Sequence, residues 1–439
     1  MSVTHLIAPV LPAPASWFPG HMMKFTRLLP TLLTRTDVVL ELRDSRLPLT
    51  SINRTLEGAL RKWRAERGWN PHDPTKRIVA DRPCERIIVF NKRDLVPEWG
   101  MEVGTLFYQQ HIKAMETKLP GQRCLFASWH KPRDIRNLND LLVKIAKEYP
   151  NSPELNVLVI GMPNIGKSTL LNALRNMGIK GRTPKAFQTS AQPGLTQALS
   201  TRLKLCESPL VYAFDTPGVM LPYLGSGQQG AERGVKLALI AGIKEGLYDM
   251  ETLAVYLLYQ LNRLNPTSPA YLTLLPPGSK PTTDLVELLE LIARRMGMVR
   301  RGAELDTSRA AEYFVRWWRE DGALIYAKTA LHPPTMTPMV DSGVFDTSTS
   351  NSDSEPSSHP GMCGWGFDLQ WTWDSGFPPA DTFSNSAIQS KMEECIDDYL
   401  RRAEKGEGDE SIISPTQQKK RAMIEEKKRR KLKQLARRK

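Results

Sequence analysis

Residues 84–100 read CERIIVFNKRDLVPEWG, and where this stretch stands relative to the rest of the chain decides the fold. A nearly continuous apolar run, the pattern of a strand buried on both faces, ends in a polar loop with Asn91, Lys92 and Asp94. About seventy residues later comes LNVLVIGMPNIGKSTLLNALRN, an apolar strand, a glycine-bracketed loop and a helical pattern. That loop fits G-x-x-x-x-G-K-[ST] at Gly161, Gly166, Lys167 and Ser168.

Such a loop between strand and helix cradles phosphates with backbone N–H groups and a helix N-terminus. Asn164, Ile165, Gly166, Lys167, Ser168 and Thr169 form the cradle; Lys167 brings a point charge to the β and γ phosphates, and the Ser168 hydroxyl is a Mg2+ ligand. About fifty residues on, LVYAFDTPG ends another strand. Alone, DTPG is any Asp-Pro-Gly turn; after a phosphate loop, it puts Asp215 in the magnesium shell and the Gly218 N–H near a γ-phosphate. Asn91, Lys92 and Asp94 add base selection, because a strand-end carboxylate accepts from both N–H groups on guanine's edge, a pairing adenine cannot make. By itself NKRD is a polar turn; beside two other elements of one site it selects GTP over ATP. LFASWHKPR (125–133) places Ser128 at a further strand end beside the base.

The order is therefore base loop, Ser128, phosphate loop, DTPG, a circular permutation of the usual arrangement that a parallel sheet with surface termini tolerates. WFPGHM (17–22), LRDSRLP (42–48), NKRD, GMPNIGKS, PGLT (193–196) and DTPG together resemble the circularly permuted GTPases of ribosome biogenesis, including their mitochondrial ribosome-associated branch. The resemblance spans roughly residues 16–330. It implies a P-loop GTPase domain of permuted motif order, with a parallel sheet flanked by helices and a C-terminal helical domain. It also implies GTP hydrolysis, large-subunit rRNA as partner, and the matrix side of the mitochondrial inner membrane as location. Thr196 reads as the switch threonine that meets Mg2+ when the γ-phosphate is present, or as part of a Pro-Gly turn in a mobile loop. Position 219 is Val, where many GTPases use a glutamine to orient water. The resemblance assigns that task to His21, whose alternative is a helix cap. It also associates Asn164 with a K+ ion, against a loop asparagine that satisfies its own backbone.

The chain has 439 residues, 41% hydrophobic and 24% charged, enough for two or three domains. Five scattered cysteines give no C-x-x-C pair, so a disulfide framework or zinc cluster is not expected. No apolar run approaches the roughly 18 residues needed to cross a bilayer, and the first 24 residues lack arginine and the basic start of a secretory signal. The division expected is an N-terminal extension (1–15), the GTPase domain (16–225), a helical domain (226–328), a disordered Ser/Pro/acidic insert without Lys or Arg (329–390) and a basic tail (391–439). Trp365, Trp371 and Trp373 sit oddly in such an insert. Residues 416–439 hold twelve Lys or Arg against two Glu, so +10 of the net +13 lies in this tail. That suits RNA phosphates or an anionic membrane face. Near Met23, Leu28 and Leu32 the spacing predicts a short helix entered through Pro19 and Gly20. The free protein is expected to be a monomer. Two other functions fit the residues: a GTP-gated membrane or scaffold adaptor with little turnover, and a relative that serves the cytoplasmic or nucleolar ribosome.

Overall fold

The structure is a computed structural model describing residues 6–15, 17–70, 73–77, 83–97, 104–119, 121–179, 181, 202–225, 227–329, 362–372, 385–408, 423 and 426. Its first helix, α1 (Gly20–Leu33), leads to β1 (Val38–Asp44), then α2 (Glu57–Glu66), a small antiparallel pair β2 (Trp69–Asn70) and β3 (Asp73–Arg77), and β4 (Glu85–Asn91). Next come α3 (Gly104–Lys118), β5 (Arg123–Ala127), α4 (Pro132–Glu148), β6 (Leu155–Gly161), α5 (Lys167–Gly178), β7 (Leu203–Glu207) and β8 (Leu210–Asp215). The six-stranded sheet runs β5-β4-β1-β6-β8-β7, parallel except for the edge strand β7. This is the α/β class expected, with the motifs in permuted order along the chain.

Parallel pairing fixes where the loops emerge. Asp44 pairs with Asn91, Asn91 with Ala127, Leu42 with Gly161 and Val159 with Asp215, so every motif-bearing loop leaves the same edge of the sheet. Alternate side chains of these strands feed opposite faces. Leu40, Val89, Val157 and Val159 pack with Ile135 and Leu138 of α4 and Leu170 of α5. On the other face Val39, Leu158 and Ile160 meet Phe25, Leu29, Leu60 and Trp63 of α1 and α2.

Strand β1 is buried at every position although it carries Glu41, Arg43 and Asp44. Charges removed from water persist only when paired. Glu41 accepts from Arg43 Nε at 2.8 Å and Arg86 Nη2 at 2.5 Å, and Arg86 also reaches Glu57 of α2. Burial alone would raise the Glu41 pKa; the two guanidiniums instead hold it down at about 2.

Beyond the sheet lie α6 (Gly227–Leu239), α7 (Met250–Leu264), α8 (Leu285–Met296), α9 (Thr307–Trp317), a π turn (Trp318–Gly322) and α10 (Ala323–Thr329). Val235, Leu257, Ile292 and Phe314 of these helices belong to the same buried apolar cluster as the sheet residues Leu40 and Val159. The short helix expected near Met23, Leu28 and Leu32 is α1; its buried residues are Met22, Phe25, Leu29 and Leu33, while Met23 and Leu28 are 42% and 54% exposed.

One sequence expectation needs correction: residues 329–390 were expected to be a disordered insert. They contain the antiparallel hairpin β9 (Met362–Trp365) and β10 (Leu369–Thr372). It is followed by α11 (Asn385–Gly408), which includes residues assigned to the basic tail. Leu369 and Trp371, with Ile388, Met392 and Ile396 at i, i+4 spacing on α11, pack against Ala114 and Met115 of α3 and Phe90 of β4. Enough apolar surface is buried to offset the entropy of ordering a short polar segment. The other residues of 330–361 and 373–384, Trp373 among them, and all of 409–439 save Met423 and Glu426, lie outside the described residues.

Beneath α11, His111 is buried against Phe90 and Phe126, and burial, helped by the Arg43 charge, pushes its pKa down to about 3. The folded state thus disfavours a proton that the unfolded chain binds below about pH 6.5. Stability is full above that pH and falls as pH drops toward 3, by up to about 1.4 kcal/mol per pH unit from this residue. Chemical denaturation across pH 4–7 should show this loss, and His111→Phe should flatten it.

Candidate active site

The phosphate loop joins β6 to α5 and is built on close approach. Gly166 has φ 93°, and a Cβ there would stand 2.5 Å from Asn91 Nδ2. A Cβ on Gly218 would meet the Pro163 backbone at 2.6 Å. The three loops of the site therefore touch through glycine. Ser168 Oγ donates to Asp215 Oδ2 at 2.5 Å, which brings together the two oxygen ligands expected for Mg2+. Both are hard oxygen donors, the kind this ion takes, so the residues fit it. Burial raises the Asp215 pKa, opposed by Lys167 and by the Ser168 hydroxyl. Lys167 Nζ donates to Met162 O at 2.9 Å, and burial lowers its pKa to about 8. Thr169 lies in the first turn of α5.

The base loop is bonded directly to the phosphate loop. Asn91 Nδ2 donates to Ile165 O, and Lys92 Nζ to Asn164 O, both at 2.8 Å. Lys92 holds a left-handed backbone, φ 60°, which turns its side chain back across the gap. Its Nζ also lies 3.3 Å from buried Asp44. Burial lowers the Lys92 pKa while Asp44 supports the charge. Asp94 Oδ1 is shielded from solvent, and among the described residues it has no hydrogen-bond partner, as a guanine-edge acceptor requires.

Several supports were missed in the sequence. Arg93 donates to both oxygens of Asp134, at 2.5 and 2.8 Å, and the same carboxylate accepts the Ser128 N–H at 3.0 Å. This clasp ties the base loop to the Ser128 loop. The LRDSRLP stretch proves to be a bracket: Ser45 donates N–H and Oγ to Asn91 O at 2.9 and 2.8 Å, and Asp44 takes a two-pronged pair from Arg46. Its position directly after a strand was the available signal.

At the γ-phosphate end, Val219 N donates to Gly161 O at 3.1 Å and Asn53 Nδ2 to Val219 O at 2.8 Å. The Val219 side chain is buried among Phe25 and Ile160, far from any role with water. Met220 N points at Met22 Sδ, 3.4 Å away, which sets the start of α1 against this loop. His21 precedes Met22, and no described residue partners its shielded Nε2. Pro19, not His21, occupies the N-cap. Burial lowers the His21 pKa, favouring neutral imidazole. Asn164 Nδ2 donates to Ala241 O at 2.9 Å, just past α6. Thr196 lies outside the described residues.

Residues 156–264 match a family model described as 50S ribosome-binding GTPase. Mitochondrial ribosome-associated GTPase 1 of Mus musculus is 33% identical over 254 residues, 57% of this chain and 67% of that one. Its Xenopus tropicalis counterpart is 31% identical over 293 residues, 65% of this chain and 82% of its own. The chain belongs to the mitochondrial ribosome-associated GTPase 1 family. It is a GTPase, and the class requires Mg2+. A solved structure of GNP-bound YlqF from T. maritima covers 68% of this chain and 94% of its own, with 19% identity and a TM-score of 0.39.

If the Asp134 carboxylate aligns the two base-reading loops of this family member, Asp134→Ala should weaken GDP and GTP equally, by about tenfold or more, the scale of a lost charge-assisted bond. Titration with both nucleotides checks it; a selective loss of GTP would contradict it.

Proposed function

We propose that this GTPase is an assembly factor for the large ribosomal subunit of mitochondria, docking on rRNA in its GTP form and leaving after hydrolysis. Its relatives are named as mitochondrial and ribosome-associated, which supports both compartment and partner. The carrying observation is the position of the loop after DTPG. Residues 215–225 run from the Mg2+ ligand Asp215 into α6, while Val219 and Met220 are bonded to the phosphate loop and to α1. A change at the γ-phosphate acts on the same chain segment that carries the helical part, the arrangement from which nucleotide switches are built.

His21 is the water-orienting group in this reading. Its shielded Nε2, without a partner among the described residues, and its depressed pKa favour a neutral imidazole able to take part in hydrogen bonding to water, and it adjoins the loop where Val219 leaves the task undone. Bound Mg2+ would neutralise developing charge on the phosphates, held by Ser168 and Asp215 with Thr196 joining in the GTP form. A K+ ion at Asn164 would add charge at the same place once the amide leaves Ala241. The tail 416–439, with its +10, would hold rRNA through phosphates.

GTP turnover measured with and without mitochondrial large subunits tests the reading. Subunits should stimulate wild-type turnover, and potassium should support it better than sodium. His21→Ala should lose about a hundredfold of the stimulated rate with GDP affinity within about twofold. Absence of stimulation removes the ribosomal role, and a wild-type rate in the variant removes His21.

A further inference from the structure

The hairpin β9–β10 is tied to the segment after β1, which borders the candidate nucleotide site. At its turn Gly366, with φ 62°, lies so close to the loop after β1 that a Cβ would stand 2.3 Å from Arg46 O, and Phe367 N donates to that same carbonyl at 2.9 Å. The Phe367 ring is buried and stacks on Trp318 of the π turn, with centroids 5.4 Å apart and planes 15° from parallel. Directly after these two anchors comes Asp368, its side chain 4% exposed.

Four donors converge on it. Leu49 N and Thr50 N donate to Oδ2 at 2.9 and 2.7 Å, Thr50 Oγ1 to Oδ1 at 2.7 Å, and Lys236 Nζ of α6 to Oδ1 at 3.4 Å. The Leu49 and Thr50 amides have this carboxylate, more than 300 residues away in the chain, as their acceptor. A buried carboxylate holding backbone N–H groups makes stronger bonds than a neutral acceptor, and its removal takes the acceptor from two backbone donors at once.

Leu49 and Thr50 lie in the middle of residues 44–53, and the two ends of that segment hold the site. At one end Asp44 and Ser45 bracket Lys92 and Asn91; at the other Asn53 holds Val219 O. We infer that Asp368 is a positioning residue for guanine-nucleotide binding: by pinning the middle of this segment, it sets the base loop and the loop after DTPG in the geometry that nucleotide needs. The inference rests on the GTPase reading, and the two are separable, because wild-type binding of GDP tests the reading and the variants test Asp368.

Full-length protein is titrated with GDP and with a non-hydrolysable GTP analogue, and KM and kcat are measured with GTP. Asp368→Ala should weaken both nucleotides by about tenfold and raise KM in proportion, with kcat at saturation within about twofold. Asp368→Asn, which keeps an acceptor but loses the charge, should fall between, and Thr50→Val should shift binding in the same direction by a smaller factor. Ser45→Ala combined with Asp368→Ala should weaken binding by less than the product of the two single effects, because both act through one segment. A lowered melting temperature with Kd unchanged within twofold would make Asp368 a structural tie and overturn the inference. If Asp368→Ala does not fold, unchanged Kd in both Asp368→Asn and Thr50→Val overturns it equally.

Discussion

One amide and one ammonium tie the candidate base loop to the phosphate loop: Asn91 and Lys92 reach across from the end of β4 and bond the Ile165 and Asn164 carbonyls. Base reading and phosphate binding are then one rigid unit. The chain reaches this with its motifs out of the usual order because a parallel sheet sorts loops by strand neighbourhood, not by sequence. With β1 between β4 and β6, the loop after β1 must lie between the two functional loops, and there it acts as their bracket through Asp44 and Ser45.

That arrangement has an energetic condition. Lys92 is buried, and a buried ammonium survives only beside acceptors and a countercharge. Asp44, itself fully buried and held well below the usual carboxylate range by Arg46 and Lys92 against its own desolvation, supplies it. Glu41, Arg43 and Arg86 repeat the same logic deeper in the strand. The charges of β1 thus hold neighbouring elements in register at a place where apolar side chains would give packing but no directed bonds.

The phosphate end is tied to α1 and to the residues just past α6 by single bonds, in addition to the apolar cluster that the sheet and the helical part share. Asn164 donates to Ala241 O, Val219 N to Gly161 O, and Met220 N points at Met22. Each is a single bond whose geometry depends on where the phosphate loop sits, so modest movement there is felt at α1 and α6 together. The strands and the phosphate loop were legible because burial on two faces leaves an apolar run and because G-x-x-x-x-G-K-S can follow few other patterns. What escaped the sequence were partnerships across long separations. Nothing local marks Asp134 as the acceptor for Arg93, or Asp368 as the cap of Leu49 and Thr50. The hairpin at 362–372 was hidden by its polar, low-complexity flanks, and the spacing around α1 showed a helix without showing which side is buried, because Met23 and Leu28 are as apolar as Met22 and Leu29.

The central claim is that loops separated along the chain form one guanine-specific site. Calorimetric titration of the Mg2+-loaded protein with GDP, ADP and xanthosine diphosphate, for wild type and for Asp94→Asn, tests it most directly. A site that reads base N–H groups with a buried carboxylate should prefer GDP to ADP by about 10⁴-fold with one nucleotide per chain, and Asp94→Asn should exchange GDP for xanthosine diphosphate. Comparable affinity for ADP, or GDP binding untouched by Asp94→Asn, would show that the base loop does not belong to the site.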